Sequence, residues 1–195
     1  MTKRKVANLL GLAVLAYLSR APMHPYEVSK TLRAHGDDRS IKFTHGSVYM
    51  VIEQLEKAGL IAAQETTRNG QRPERTVYGI TPDGRAELED WLRDLVGVPR
   101  HEFPAFGSAL SLIGALHPDV VVDLLRQRLV LLEEQRSAAA ALADGAAPHP
   151  LFLVEEAYRQ GLLEAEIAFV HRFIEQITDP VSGWGPMWAA YHQTQ

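Results

Sequence analysis

Residues 43–81 constrain the fold of this chain most, because they carry signals for a helix, a tight hairpin and a further helix in immediate succession. Thr44 is a favourable N-cap, since its side-chain oxygen can accept a hydrogen bond from an otherwise unpaired amide of the first turn. Gly59 follows Lys57 and Ala58, and a glycine in this place commonly ends a helix. The apolar residues between these two signals recur at helical spacing and predict one buried face: Val48, Val51, Ile52 and Leu55.

A two-stranded hairpin is predicted directly after this helix. Leu60–Thr67 and Val77–Ile80 are rich in apolar and β-forming residues, and Asn69-Gly70 between them tolerates the positive φ of a tight turn. Polar and basic side chains crowd the turn: Arg68, Gln71, Arg72 and Arg75. A helix with a polar outer face followed by a hairpin with a basic tip is the layout of a winged helix-turn-helix, whose helix enters the major groove of double-stranded DNA while the hairpin follows the phosphates. A plain helix-and-hairpin unit with a solvated, charged turn is the alternative.

Two helices are predicted before this stretch, which completes the winged-helix order over residues 1–97. The first spans Lys3–Ser19, and its basic start of Lys3, Arg4 and Lys5 opposes the helix macrodipole. Either a neighbouring phosphate uses these cations, or they belong to a solvated, frayed tail. The second helix begins at Pro25, which suits a first turn, and runs to about His35. Its predicted buried residues are Tyr26, Val28 and Leu32.

The charge of the chain is divided unevenly along its length. The net charge is −4, but residues 1–80 hold 12 Lys and Arg against 7 Asp and Glu, a balance of +5, whereas residues 81–195 hold 8 against 17, a balance of −9. This asymmetry favours a basic N-terminal region that faces phosphate. The absence of cysteine excludes disulfides, thiolate metal sites and cysteine nucleophiles, and no apolar run is long enough to cross a bilayer. A cytoplasmic protein without a membrane partner is expected.

The second half is predicted to be entirely helical. After a linker at residues 98–104, a helical dimerisation domain is expected over residues 105–179, followed by a flexible tail at 180–195 unless its tryptophans dock on the body. The helix Leu151–Thr178 carries two apolar stripes, which require more than one neighbour, and a second subunit is the expected supplier. The alternative is a helix deeply buried within one chain. The stripe assigned to the dimer interface comprises Leu163, Ile167, Val170, Ile174 and Ile177.

Catalysis is not supported by the residue pattern. The eight histidines contain no pair at i,i+4 spacing and no metal-site spacing, and the acidic residues of the last long helix lack the Glu-x-x-His of di-metal carboxylate sites. The sequence therefore predicts no catalytic residue, no metal and no cofactor. A winged-helix adaptor that binds protein without touching DNA is the remaining alternative.

Several motifs together resemble those of the PadR family of transcriptional regulators. They are His24-Pro25-Tyr26-Glu27, where the family usually has glycine in place of the proline, Gly46-Ser47-Val48-Tyr49, Leu55–Ile61, and Tyr78-Gly79-Ile80-Thr81 followed by Gly84. The resemblance covers roughly residues 8–95. It implies a homodimeric repressor that binds a pseudo-palindromic operator, dimerises through C-terminal helices, and releases DNA when a small, often aromatic effector binds.

The predicted site residues fall into two groups. Docking of the central helix in the groove is assigned to Lys42, Thr44, His45, Ser47 and Tyr49, and contacts around the phosphates to Lys3, Arg4, Lys5, Arg68, Asn69, Gln71, Arg72 and Arg75. An aromatic effector is predicted to stack on Trp91, Phe103 and Phe106, with ordinary core packing of these rings as the alternative.

Overall fold

The computed structural model describes residues 4–67, 75–143 and 153–193, and the chain divides into two compact units. Unit 1 is Met1–His101 and unit 2 is Glu102–Gln195. Apart from one antiparallel pair of strands in unit 1, the regular structure of the described residues is helical, which confirms the predicted fold class.

Unit 1 has the order of a winged helix. Its elements are α1 (Leu9–Leu18), α2 (Pro25–Ala34), a short 3₁₀ turn (Asp37–Arg39), α3 (His45–Lys57), β1 (Ile61–Thr67), β2 (Arg75–Ile80) and α4 (Pro82–Gly97). One apolar core joins the first three helices to the start of the hairpin, and its fully buried members include Leu10, Val14, Leu32, Val48 and Leu55.

The first helix begins six residues later than the sequence predicts. The Asn8 side chain accepts a hydrogen bond from the amide of Leu10 at 2.9 Å, and this cap fixes the start of α1 at Leu9. Lys5 therefore precedes the helix rather than lying in its first turn. Arg4 and Lys5 therefore do not oppose the macrodipole of α1 from within its first turn.

The caps around α3 and α4 join the two helices to the hairpin. The Thr44 hydroxyl oxygen accepts from the amide of Ser47 at 3.2 Å, and Gly59 follows α3 with a φ of 77°, as the sequence predicts. Thr81 accepts from the amide of Gly84 and donates its hydroxyl to the carbonyl of Gly59 at 2.8 Å. The end of α3 and the start of α4 are thus held by one side chain.

The hairpin is antiparallel and pairs Ile61 with Ile80 at its base and Thr67 with Arg75 at its described end, with an irregularity between Ala63 and Glu65. The intervening turn, with the predicted Asn69-Gly70 signal, lies outside the described residues.

Unit 2 consists of α5 (Ala105–Ser111), a 3₁₀ turn (Ile113–Ala115), α6 (Pro118–Ala143), α7 (Val154–Thr178) and α8 (Gly185–Gln193). The long helices α6 and α7 pack against each other around a second apolar core. The stripe of α7 that the sequence assigns to a dimer interface lies in this core of its own unit. Ile167, Val170 and Ile177 are buried, while Leu163 and Ile174 are partly buried against the same cluster. Hydrophobic periodicity identified the buried face, but the partner of that face is α6 of the same chain.

The C-terminal tail, which the sequence predicts to be flexible unless its tryptophans dock, contains a helix along its described residues. Helix α8 packs against α6, Trp188 joins the core of unit 2, and Nε2 of His192 lies 3.0 Å from the carbonyl oxygen of Gly114. Of the two outcomes that the sequence leaves open for its tryptophans, docking on the body is the one observed. No helix among the residues described is long and apolar enough to cross a membrane.

Acid should loosen the turn that precedes α8. The carboxylate of Asp179 accepts hydrogen bonds from the amides of Ser182 and Val181 and from the Ser182 hydroxyl, and these bonds hold its pKa below the ordinary value of 3.8. Because the folded-state pKa is the lower one, the carboxylate stabilises the turn above the unfolded-state pKa, and the contribution is lost as the pH falls through the folded-state value. We expect Trp184 and Trp188 fluorescence, followed in a Trp91→Phe background, to change below about pH 4. Asp179→Asn should show the changed signal already at pH 7, and an unchanged spectrum in that variant would contradict this role of the turn.

Candidate nucleic-acid interface

The N-terminal half of α3 presents the predicted docking residues on an exposed surface. Val48, Val51, Ile52 and Leu55 face the core, whereas His45, Gly46, Tyr49 and Met50 are exposed. Thr44 and Ser47 form a reciprocal cap, in which the Thr44 amide donates to the Ser47 hydroxyl at 2.8 Å. Their side chains therefore fix the start of the helix, beside the surface that the other residues form.

Tyr26 of α2 joins this surface, although the sequence predicts it to be buried. Its ring lies 5.5 Å from the ring of His45 in an edge-to-face arrangement, and the His45 ring lies 5.4 Å from that of Tyr49. We call the exposed set Tyr26, His45, Gly46, Tyr49 and Met50 the α2–α3 face.

Basic side chains border the α2–α3 face. Lys30 and Arg33 follow Tyr26 on the outer side of α2, and Lys42 lies just before α3. All three are exposed, and none forms an ion pair with any residue in the described ranges. Unpaired cations next to an exposed helix terminus are the arrangement that phosphate contacts require.

Arg4 has a different environment from the one that the sequence predicts. Its side chain is only 10% exposed, and its guanidinium lies 2.7 Å from Glu87, 2.8 Å from Asp94 and 3.2 Å from Asp90, all on α4. Burial opposes its charge, but the hydrogen bonds to Glu87, Asp94 and Asp90 and the charge of Glu87 outweigh burial and raise the pKa of Arg4. Arg4 thus ties the segment before α1 to α4, and its charge is already neutralised.

The other predicted phosphate contacts are only partly covered. Lys3, Arg68, Asn69, Gln71 and Arg72 lie outside the described residues. Nζ of Lys5 donates to the carbonyl of Ala58 at 3.3 Å, which places this cation at the C-terminal end of α3. Arg75 is the first residue of β2.

Tyr78 connects the hairpin to the helices. Its backbone amide and carbonyl pair with Met23, with both N–O distances at 3.0 Å. Burial raises the pKa of its phenol, and the charge of Glu56 on α3 and a hydrogen bond to that carboxylate act in the same direction. Tyr78 therefore keeps its proton over the neutral range and serves as a packing residue.

The three predicted effector residues have separate surroundings. Trp91 is buried in unit 1 with the Arg4 guanidinium 5.2 Å from its ring centroid, which matches the alternative of an ordinary core residue. Phe106 belongs to unit 2, where the Arg128 guanidinium lies 3.7 Å from its ring centroid and the Phe169 ring 6.3 Å away. Phe103 is largely exposed.

Comparison with known proteins identifies the module. Residues 14–90 match the family model described as "Transcriptional regulator PadR-like family". Over these residues the chain is similar to the PadR family of transcriptional regulators. The "Probable transcriptional regulator Rv1176c" of Mycobacterium tuberculosis is 28% identical over 173 residues, covering 75% of this chain and 87% of that protein. The "Negative transcriptional regulator PadR" of Bacillus subtilis is 26% identical over 123 residues, covering 63% and 66%.

Solved structures of the family share the fold. Bacillus subtilis PadR in complex with operator DNA superposes with a TM-score of 0.66 at 19% identity, over 86% of this chain and 98% of that one. The complex of the same PadR with p-coumaric acid gives a TM-score of 0.66 at 17% identity, over 86% and 94%. At these identities the likeness establishes the fold, and it confirms the predicted winged helix with helical C-terminal elements.

Three residues of the candidate interface were missed in the sequence analysis, although the pattern carries a signal for them. Tyr26, Lys30 and Arg33 recur at i, i+4 and i+7 and therefore share one side of α2. Two of them are basic, which marks this side as the outer one. The aromatic ring of Tyr26 obscured that signal, because an aromatic residue in an amphipathic helix is usually assigned to the core.

Gly46 offers a test that separates docking from stability. A Cβ added at this position of α3 would meet no atom within 4 Å, so Gly46→Ala should leave the free energy of unfolding unchanged or raise it by about 0.4–1 kcal/mol. The added methyl group would stand on the α2–α3 face, and we expect DNA affinity to fall about ten-fold, or ~1.4 kcal/mol. Fluorescence anisotropy with labelled DNA and urea unfolding measure the two effects.

Gly97 provides the matched control for Gly46. It is the last residue of α4, and a Cβ there would also meet no atom within 4 Å. Gly97→Ala should leave DNA affinity unchanged. If the Gly46→Ala variant and the wild type bind DNA with equal affinity, the prediction that this part of α3 contacts DNA is wrong.

Proposed function

We propose that the protein is a homodimeric repressor that binds a pseudo-palindromic double-stranded operator and leaves it when a small aromatic effector binds. The observation that carries the proposal is the exposed α2–α3 face at the start of a capped helix. It is bordered by Lys30, Arg33 and Lys42, which form no ion pair with the residues that the structure describes. Residues 1–97 would read the DNA, 98–104 would act as linker and 105–179 would form the dimer. An adaptor that binds only protein has no need of these cations beside the helix.

The dimer is proposed because α6 and α7 leave large apolar side chains uncovered. The first stripe of α7 is used within its own unit. Of the second stripe, Phe173 is buried in the same core, but Tyr158 is 68% exposed and Leu162 54%. A second copy of the chain would bury such residues, and two-fold symmetry would supply two recognition helices to one operator. The large apolar residues exposed along the described parts of the two helices are Val120, Leu124, Val130, Leu131, Val154, Tyr158, Leu162 and Phe169.

The effector proposal rests on the aromatic residues and on the PadR relative that has been captured with p-coumaric acid. Phe103 exposes most of its ring, and Phe106 begins a series of aromatic rings that continues through Phe169, Phe173 and Trp184. Planar apolar molecules bind such surfaces by stacking and burial of apolar area. Titration of the protein–operator complex with aromatic acids, with wild type and Phe103→Ala in parallel, would test this part.

Selection of DNA from a random pool tests the proposed function as a whole. The expected product is an inverted repeat whose half-sites are about 10 base pairs apart, centre to centre, or a multiple of this distance. Affinity for that product should fall steeply with salt. The slope of log K against log [salt] should decrease in magnitude by about 0.9 for each phosphate that Lys30→Ala or Lys42→Ala leaves without its cation. A pool that shows no enrichment after repeated rounds would contradict the proposal.

A further inference from the structure

The α2–α3 face combines large apolar exposure with fixed ring geometry. Tyr26 is 50% exposed, Tyr49 42% and Met50 59%. His45 lies between the two tyrosine rings, with interplanar angles of 78° to Tyr26 and 62° to Tyr49. The ring of His24 lies 6.4 Å from the ring of Tyr49, at an interplanar angle of 79°.

Buried and capping contacts hold the two histidine rings in place. Nδ1 of His45 lies 3.0 Å from the hydroxyl of Ser29, a polar side chain of which only 2% is exposed. Nδ1 of His24 accepts from the amide of Tyr26 at 3.1 Å and so caps α2. A surface whose aromatic rings are preorganised in this way loses little side-chain entropy when it binds.

The first turns of α3 lack the side chains that usually read purines. Arginine or lysine reads guanine by paired hydrogen bonds, and asparagine or glutamine reads adenine in the same way. None of these four residue types occurs between His45 and Glu53, and the first is Gln54 in the third turn. This part of the helix can contact base edges through the apolar surfaces of Tyr49 and Met50. Its hydroxyl and imidazole groups can each add a single hydrogen bond.

We propose, resting on the function proposed above, that the α2–α3 face recognises its operator through the C5-methyl groups of thymines in the major groove, with Tyr26, Tyr49 and Met50 as the specificity-determining residues. The thymine methyl group is the apolar feature that a base pair displays in the major groove. The flanking Lys30, Arg33 and Lys42 favour DNA over an apolar protein as the occupant of this face, because their charge complements phosphate on either side of the groove. Each operator half-site should therefore present at least one thymine to α3.

Replacement of thymine by uracil tests the inference, because it removes only the methyl group and keeps base pairing. With the selected operator, uracil at a contacted position should lower the affinity of the full-length dimer about four-fold for each methyl group removed. Thymines outside the half-sites should tolerate the replacement. Tyr49→Ala and Met50→Ala should bind the thymine operator more weakly and should lose part of their sensitivity to uracil, since the variant no longer contacts the missing methyl group.

Lys30→Ala is the matched contrast, because a phosphate contact carries no information about methyl groups. This variant should bind every DNA more weakly and keep the full four-fold response to uracil. Unchanged affinity for an operator in which all thymines are replaced would overturn the inference while leaving the proposed repressor intact. An equal response to uracil in wild type, Tyr26→Ala, Tyr49→Ala and Met50→Ala would also overturn it, because the methyl effect would then act through DNA shape. If no DNA can be selected, the result would instead contradict the proposed function itself.

Discussion

Leu162→Asp is expected to give a folded monomer that has lost most of its operator affinity. Leu162 lies on the outward stripe of α7, so aspartate at this position stays hydrated within one chain, but it would bury a charge in the proposed subunit contact. A monomer has one recognition helix, so binding at one half-site no longer holds a second helix close to the other half-site. Operator affinity should therefore fall by a factor of about 10²–10⁴. Analytical ultracentrifugation and circular dichroism would report the oligomeric state and the folding.

Val170→Asp is the informative counterpart, because Val170 is fully buried in the core of unit 2. An uncompensated charge at this position should destabilise the unit by about 3–5 kcal/mol and remove its cooperative unfolding transition. The two variants thus distinguish the intrachain stripe of α7 from the proposed dimer stripe. A wild-type protein that remains a monodisperse monomer at micromolar concentration would contradict the dimer.

Arg4→Met is expected to lower the free energy of unfolding by about 2–3 kcal/mol without changing the salt dependence of DNA binding. The methionine keeps apolar cover for Trp91, but it leaves Glu87, Asp90 and Asp94 as mutually repelling carboxylates on α4. Urea unfolding and salt titrations of operator affinity measure the two quantities.

Lys30→Met is the control for Arg4→Met, since Lys30 is exposed and has no ion-pair partner among the described residues. It should unfold like the wild type and show a salt slope that is shallower by about 0.9 for each phosphate left without its cation. A reversed outcome, with Arg4→Met stable and its slope reduced, would return Arg4 to the phosphate contacts that the sequence predicts.

Features determined by neighbouring residues could be predicted from the sequence. The Thr44 cap, the helix end at Gly59 and the Thr81 cap all depend on atoms within four or five positions, and the structure contains each of them. The same holds for the buried face of α3, because the position of its apolar residues fixes which side enters a core.

Features that depend on distant partners could not be predicted. The carboxylates that bind Arg4 lie 83 to 90 positions away, and nothing near Arg4 in the sequence indicates them. Periodicity identified both apolar stripes of α7, but it did not show which stripe packs against α6 and which would face a second subunit. On spacing alone, α6 could cover either stripe. The assignment of Tyr26 to the core has a different, local cause, since residue type was given more weight than the basic residues that share its side of α2.

Affinity cleavage from α3 tests the docking of this helix in the operator most directly, since the chain has no cysteine and a single one can carry an iron chelate. Gln54 is exposed on α3, and the conjugate at Gln54→Cys should cut the selected operator at two symmetric sites whose centres lie about 34–36 Å apart or a multiple of that distance. The conjugate at Ser137→Cys on α6 is the control and should not cut at those two sites. A Gln54→Cys conjugate that binds the operator but cuts it without localised sites would contradict the placement of α3 in the major groove.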